Sequence, residues 1–347
     1  MKWKLTAVAA GLAFALTSGV AGIAKASGEL NLFNWGNYTN PELITKFEAE
    51  TGIKVIITDY DDNDSALAKV KVGGHGFDMV VPSSNYVPIW IKEGLLLEAR
   101  PDQMSNFKNL EEIWQDVDWD PGRHYTVPWQ WGSVGIMLDT AVYSGDINTS
   151  SIIFDPPAEL VGKINVAPEM ADVVGMALRY IGSEPCTLDK AALKKARDLL
   201  INAKTKWLSM EYGVIEKIAG GDLAASLYWN GASFRARLQN PNVHFGYPKE
   251  GYSLWMDSVA ILKDAKNVEN AKTFMNFIMV PENAALISAF ARYANGVKGS
   301  VPFMPEDMAT APEVVIPAEF LKSGHFVPAC EPEAQGYYTA IWTELQK

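Results

Sequence analysis

Leu30-Asn31-Leu32-Phe33-Asn34-Trp35, Pro41-Glu42-Leu43-Ile44-Thr45-Lys46-Phe47-Glu48, Ile53-Lys54-Val55-Ile56-Ile57-Thr58 and Phe77-Asp78-Met79-Val80-Val81-Pro82 follow one another early in the chain. Together they decide the fold. The first, third and fourth are short apolar-rich runs that read as strands. The second opens with Pro and closes before Gly52, which is helix punctuation. A short second helix fits before the last run, capped by Asp64 and ending near Val72. This alternation is the βαβ order, and it predicts an α/β protein with parallel strands buried on both faces.

The pattern weakens over the loop-rich stretch from Arg100 to Gly122 and resumes from Tyr125 to Leu138. A second series follows. Ile164-Asn165-Val166 reads as a strand, Asp172 to Ile181 as a helix, and Leu188 to Leu208 as a long amphipathic helix. Next come a strand over Leu223 to Trp229, a helix over Gly231 to Leu238 and a strand over Val243 to Tyr247. Two such series suggest two lobes with a cleft between them. Open α/β sheets bind ligands beyond the carboxyl ends of their strands. That rule singles out Trp35 to Tyr38, Ser83 to Tyr86, Pro168 to Asp172, and Trp229 to Ser233.

The amino terminus reads as an export signal. Met1-Lys2-Trp3-Lys4 is basic, Leu5 to Val20 is apolar, and Ala24-Lys25-Ala26 supplies an A-x-A cleavage pattern before Ser27. The apolar run is short for a membrane span, so the expected product is a soluble periplasmic protein with no membrane insertion. The whole chain carries −11; the leader holds three Lys and no acid, so the remainder carries −14. Such a charge opposes binding to nucleic acid or anionic lipid and favours cations. Cys186 and Cys330 would enter an oxidising compartment, where pairing is the default and two separate buried thiols are the alternative.

Aromatic and acidic residues gather at the singled-out positions. Trp35, Tyr38, Trp229 and Trp255 offer flat faces, and Glu169, Asp172 and Asp257 offer carboxylates. That combination suits an organic ammonium. Cation–π contacts contribute about 0.5–2 kcal/mol each, and charge-assisted hydrogen bonds roughly twice a neutral one. Each residue alone also fits a structural role: the indoles as core, Asp172 as a first-turn acid, Asp257 as a solvated strand-end charge.

Several segments carry a resemblance that covers nearly the whole chain after the leader. They are Asn34-Trp35-Gly36-Asn37-Tyr38, Glu50 to Val55, Phe77 to Ser83, Val127-Pro128-Trp129-Gln130-Trp131-Gly132, Trp229-Asn230-Gly231, and Pro248-Lys249-Glu250-Gly251 leading into Trp255-Met256-Asp257-Ser258. In these the chain resembles the periplasmic spermidine/putrescine receptors of bacterial ABC importers. The resemblance implies a two-lobed type II periplasmic binding protein fold, each lobe a mainly parallel sheet flanked by helices. Residues 27–134 plus 257–303 would form one lobe and 135–256 plus 304–347 the other, joined by three crossover hinge strands. Cys186 and Cys330 would share a lobe.

For the site, the resemblance implies that Trp35, Trp229 and Trp255 box a methylene chain. Asp257 would take one ammonium, and Asp172 with Glu169 another. Tyr38, Ser83, Asn85 and Tyr293 would complete the set. It further implies a monomer that binds without catalysis or cofactor and docks on an inner-membrane permease. Departures bear on the ligand. Gly36 replaces a hydroxyl residue, Asn85 an aromatic, and Ala232 an acid of putrescine-selective relatives, while Gln335 is only a loose match to a site glutamine.

Other amines such as agmatine, γ-aminobutyrate or a quaternary ammonium are alternatives. A zwitterion would need a basic residue in the cleft, and Arg235, nearly two helical turns past Trp229, reads as too distant. A secreted amine hydrolase would be a different class, and no base–nucleophile pair supports it. His75, His124, His244 and His325 show no metal-ligand spacing, and Gly73-Gly74-His75-Gly76 lacks the Lys-Ser/Thr of a phosphate loop.

Overall fold

The computed structural model describes residues 28–347, so the export signal read at 1–26 lies outside the described residues. Among the described residues there are ten strands: β1 (Gly28–Trp35), β2 (Ile53–Tyr60), β3 (Met79–Val80), β4 (Thr126–Asp139), β5 (Ile164–Val166), β6 (Ser209–Met210), β7 (Ala225–Trp229), β8 (Val243–Gly246), β9 (Tyr252–Ile261) and β10 (Gly324–Phe326). Their order is β2-β1-β3-β9-β4-β7-β5-β6, with β8 on β4 and β10 on β9. The outer strands on either side pair in parallel, β1 with β2 and β3, and β5 with β6 and β7. The long central pair β4 and β9 runs antiparallel.

β4 changes partners along its length. Thr126 to Ser133 pairs with β9, whereas Val134 to Asp139 pairs with β7 and β8. One strand thus belongs to two sheet halves. β9 behaves alike, meeting β10 at Tyr252 to Leu254 and β3 at Ala260 and Ile261. Where a third crossover strand is expected, around residues 303 and 304, the chain instead forms the short 3-10 turns Val301–Phe303 and Glu306–Ala309.

Local chemistry explains the elements and three adjustments to the sequence reading. The helix Pro41–Thr51 begins with the Asn40 side chain accepting from the Glu42 N–H and ends at Gly52 in the left-handed region (φ 78°). Asp62, not Asp64, caps Asn63–Val72, accepting from the Ser65 N–H. The residue one turn ahead of Ser65 is the one whose oxygen can reach that amide. The strand expected over Phe77 to Pro82 pairs only at Met79 and Val80, although its neighbours Phe77 and Val81 are buried too. Burial gave the apolar run; the ladder occupies only its centre. The expected long helix contracts to Lys190–Lys204, capped by Asp189. Ile136, Met137 and Leu138 on β4 and Ile164, Asn165 and Val166 on β5 are buried in succession, as strands covered on both faces require. Cys186 and Cys330 are joined across 144 positions.

Candidate functional site

Where the two sheet halves meet, a cavity with about 530 Å³ of empty space opens. Trp35, Tyr38, Ser83, Asn85, Glu169, Asp172, Trp229, Trp255, Asp257 and Tyr293 all line it. Residues up to 258 positions apart therefore converge: all but Tyr293 follow or sit within strands, and Tyr293 comes just after the helix Pro281–Ala291. Trp255 and Asp257 share a face of β9 by the two-residue period of a strand. Met256 between them packs with Trp114 on the other side.

The carboxylates are the unusual part. Asp257 is 5% exposed and accepts from the Ser83 hydroxyl at 2.6 Å and the Tyr38 hydroxyl at 2.9 Å. Asn63 holds Ser83 in place, its amide donating to the Ser83 hydroxyl at 3.1 Å. Burial pushes the Asp257 carboxyl up to about 7, against the pull of those two hydroxyls, and nearby Asp172 adds to the rise. Asp172 is likewise raised by burial to about 7, although hydrogen bonds from Ser253 and Trp229 oppose this. Glu169 lies well above the usual range because it is buried and faces Asp172, Asp64 and Asp62. Among the described residues none of the three forms an ion pair. Burying an unpaired carboxylate costs several kcal/mol, so this arrangement favours a cationic guest.

The walls are aromatic. Trp35 and Trp229 stand edge to face at 6.4 Å, and Tyr212 lies 6.5 Å from Trp35 and 5.6 Å from Trp229. On the far side Tyr293 meets Trp255 at 5.0 Å and Tyr38 at 5.8 Å. Burial raises the Tyr293 hydroxyl to about 12.

Ala171, within the stretch Pro168 to Asp172, also lines the cavity, as do Asn63, Tyr212, Arg235 and Val327, which the sequence reading does not assign. Asn63 and Tyr212 sit just beyond β2 and β6, so the strand-end rule would have reached them had β6 been recognised in so short a run. Arg235 corrects an explicit expectation. It occupies the helix Asn230–Gln239, whose side chains lean toward the helix start, so its long arm returns to the cavity and donates to the Asn37 carbonyl at 3.2 Å. Gln335 lies instead on a neighbouring cavity shared with Tyr86, Arg179 and Cys330, and Val327 is the residue that the C-terminal segment brings to the main one. Ala232 is buried and outside the lining. Beside Gly36 stands Tyr212, whose hydroxyl donates to the Gly36 carbonyl at 2.9 Å.

The sequence profile of the bacterial extracellular solute-binding proteins matches residues 42–316. The putrescine-binding periplasmic protein SpuD of Pseudomonas aeruginosa is 30% identical, over 96% of this chain and 97% of its own length. The spermidine/putrescine-binding periplasmic protein of Escherichia coli is also 30% identical, over 98% of each. A solved Listeria monocytogenes chain assigned to spermidine/putrescine ABC transport superposes with a TM-score of 0.86 at 29% identity, covering 92% of this chain and 99% of that one. A Treponema pallidum lipoprotein, 24% identical over 91% of this chain and 99% of its own, shares the fold with a TM-score of 0.80. The fold is that of type II periplasmic binding proteins, and the chain belongs to the bacterial extracellular solute-binding proteins.

Proposed function

We propose that the protein captures an amine of the polyamine class in this cavity and delivers it to an inner-membrane ABC permease. One observation carries the reading: Asp257, Asp172 and Glu169 are buried on an aromatic-walled cavity with no ion-pair partner among the described residues. An ammonium on Asp257 would complete the set begun by Ser83 and Tyr38. A second would lie between Asp172 and Glu169, with the indoles of Trp35, Trp229 and Trp255 along the methylene chain. The family is one of receptors, so the protein binds its solute and does not hydrolyse it.

In this reading residues 27–134 plus 257–303 form one lobe and 135–256 plus 304–347 the other. The change of β4 partners between Ser133 and Val134 supports that division. The contacts Asn63 to Glu169, Tyr212 to Gly36 and Arg235 to Asn37 then cross the cleft and describe a closed form. A ligand touching both lobes favours closure by its higher affinity for that form. Residues 1–26 would be removed on export, and the mature protein would work as a periplasmic monomer.

A thermal-shift series on the mature protein tests this with putrescine, spermidine, agmatine, γ-aminobutyrate and choline. A ligand specific for the folded state raises the melting temperature with concentration. The reading predicts a saturable rise with putrescine or spermidine, and the absence of a rise with every amine would overturn it.

A further inference from the structure

Arg235 is the basic group on a cavity otherwise furnished with acids. Its guanidinium forms no ion pair with any described residue. One Nη donates to the Asn37 carbonyl and the guanidinium also hydrogen-bonds the Tyr293 hydroxyl, while the Nε–H is buried without a partner. A second donor lining the same cavity shares that condition: Trp255 is 6% exposed, and its buried indole N–H finds no acceptor. A buried donor left unpaired costs about 1–3 kcal/mol, so two of them on one ligand cavity call for an acceptor brought by the guest.

Position matters as much as count. Tyr293 feels both charges, since Asp257 raises its hydroxyl and Arg235 lowers it. The acid and the guanidinium therefore flank one tyrosine. The cavity lining thus holds three acids and a guanidinium that is ion-paired with none of them. A diamine satisfies the acids and offers the guanidinium a like charge. An ω-amino acid satisfies both, because its carboxylate accepts from the planar fork of an arginine.

We propose that Arg235 is a specificity-determining residue that lets this cavity take aminoalkyl carboxylates beside the amines of the reading above, at some cost in affinity for amines carrying an ammonium at both ends. The inference deepens the reading above and rests on the acids of the cavity taking the ammonium. γ-Aminobutyrate is the matched probe, since its carboxylate oxygens fall where putrescine has its second nitrogen.

Titration calorimetry with γ-aminobutyrate and putrescine, on the mature wild-type protein, R235Q and R235K, tests the assignment. R235Q is expected to weaken γ-aminobutyrate by roughly tenfold or more and to strengthen putrescine, reversing the trend between the two ligands. R235K, which keeps the charge and loses the fork, should fall between. An unchanged ratio of the two affinities in R235Q, with putrescine still bound, overturns the role of Arg235 and leaves amine capture standing. Binding of neither probe by the wild type overturns the role of Arg235, while amine capture is then decided by the thermal-shift series, which includes spermidine. Ligand-free melting of R235Q shows whether the variant is folded; should it fail to fold, the ratio is read from R235K, where no shift counts against the proposal.

Discussion

Asp78 and Asp257 are buried aspartates on adjoining strands of one sheet, yet their surroundings are opposite. Asp78, just ahead of β3, is 1% exposed and accepts five hydrogen bonds: from the backbone N–H and side-chain amide of Asn31, the N–H of Lys266, and the N–H and amide of Asn267. Burial pushes its carboxyl up, but those donors outweigh it and hold it below the ordinary range. Asp257 on β9 receives two hydroxyl donors, and burial prevails, at about 7. A carboxylate whose lone pairs the chain fills is structure. One left short by the chain is arranged for something the chain does not supply.

The largest consequence falls on Asp78. D78A leaves the donors from Asn31, Lys266 and Asn267 buried and unpaired, and it should lower unfolding free energy by about 3 kcal/mol. Ligand affinity of the folded fraction should be unaffected. Denaturant unfolding and calorimetry on the same sample check both halves. A variant of full stability would show that the network around Asp78 is replaceable and would weaken the contrast.

D257N should do the reverse. Removing the charge that faces an ammonium is expected to weaken putrescine or spermidine by about 1.5–3 kcal/mol. Ligand-free stability should hold or rise, since a poorly compensated buried acid has been replaced by a neutral group. Unchanged affinity by calorimetry would place Asp257 with Asp78 as a structural residue.

The two acids also leave opposite signatures in pH. Asp78, with its folded pKa below the unfolded value near 3.9, contributes stability that is present above that value and lost as pH falls through the folded pKa. Asp257 and Asp172, raised to about 7, bind protons more tightly when folded. They therefore make the ligand-free protein less stable as pH rises from about 4 to about 7. Amine affinity should follow the opposite course, because the ammonium needs the deprotonated acids: it should fall about tenfold per pH unit for each proton displaced below pH 7. Affinity that is flat between pH 5.5 and 7.5 would mean that these carboxyls are not the ones engaged.

How far the sequence reveals this contrast depends on the range of the interactions involved. The βαβ series, the helix ends at Pro41 and Gly52, and the ten candidate cavity residues all follow from local pattern and family motifs. The helices Val268–Ile278, Pro281–Ala291 and Pro332–Leu345 gave no assigned pattern, and nothing local shows that β4 would change partners midway. Asp78 falls within an apolar strand motif that gives no hint of its role, since its partners at 266 and 267 lie almost two hundred residues away. Arg235 was misplaced for the same reason. Helical spacing from Trp229 measures where a backbone is, not where a long side chain reaches.

Trp255 gives the finest division between the two kinds of site. It shares the cavity face of β9 with Asp257, and its ring packs against Tyr293 at 5.0 Å. If it walls a methylene chain, its loss should cost more as that chain lengthens, whereas a packing role would cost every ligand alike. W255L keeps an apolar filler in the space and removes the flat face. The expected loss is about 1 kcal/mol for putrescine and more for spermidine, in line with desolvated cation–π and apolar contact. Equal losses for the two amines by calorimetry would assign Trp255 to the interior, leaving Asp257 to mark the boundary between scaffold and site alone.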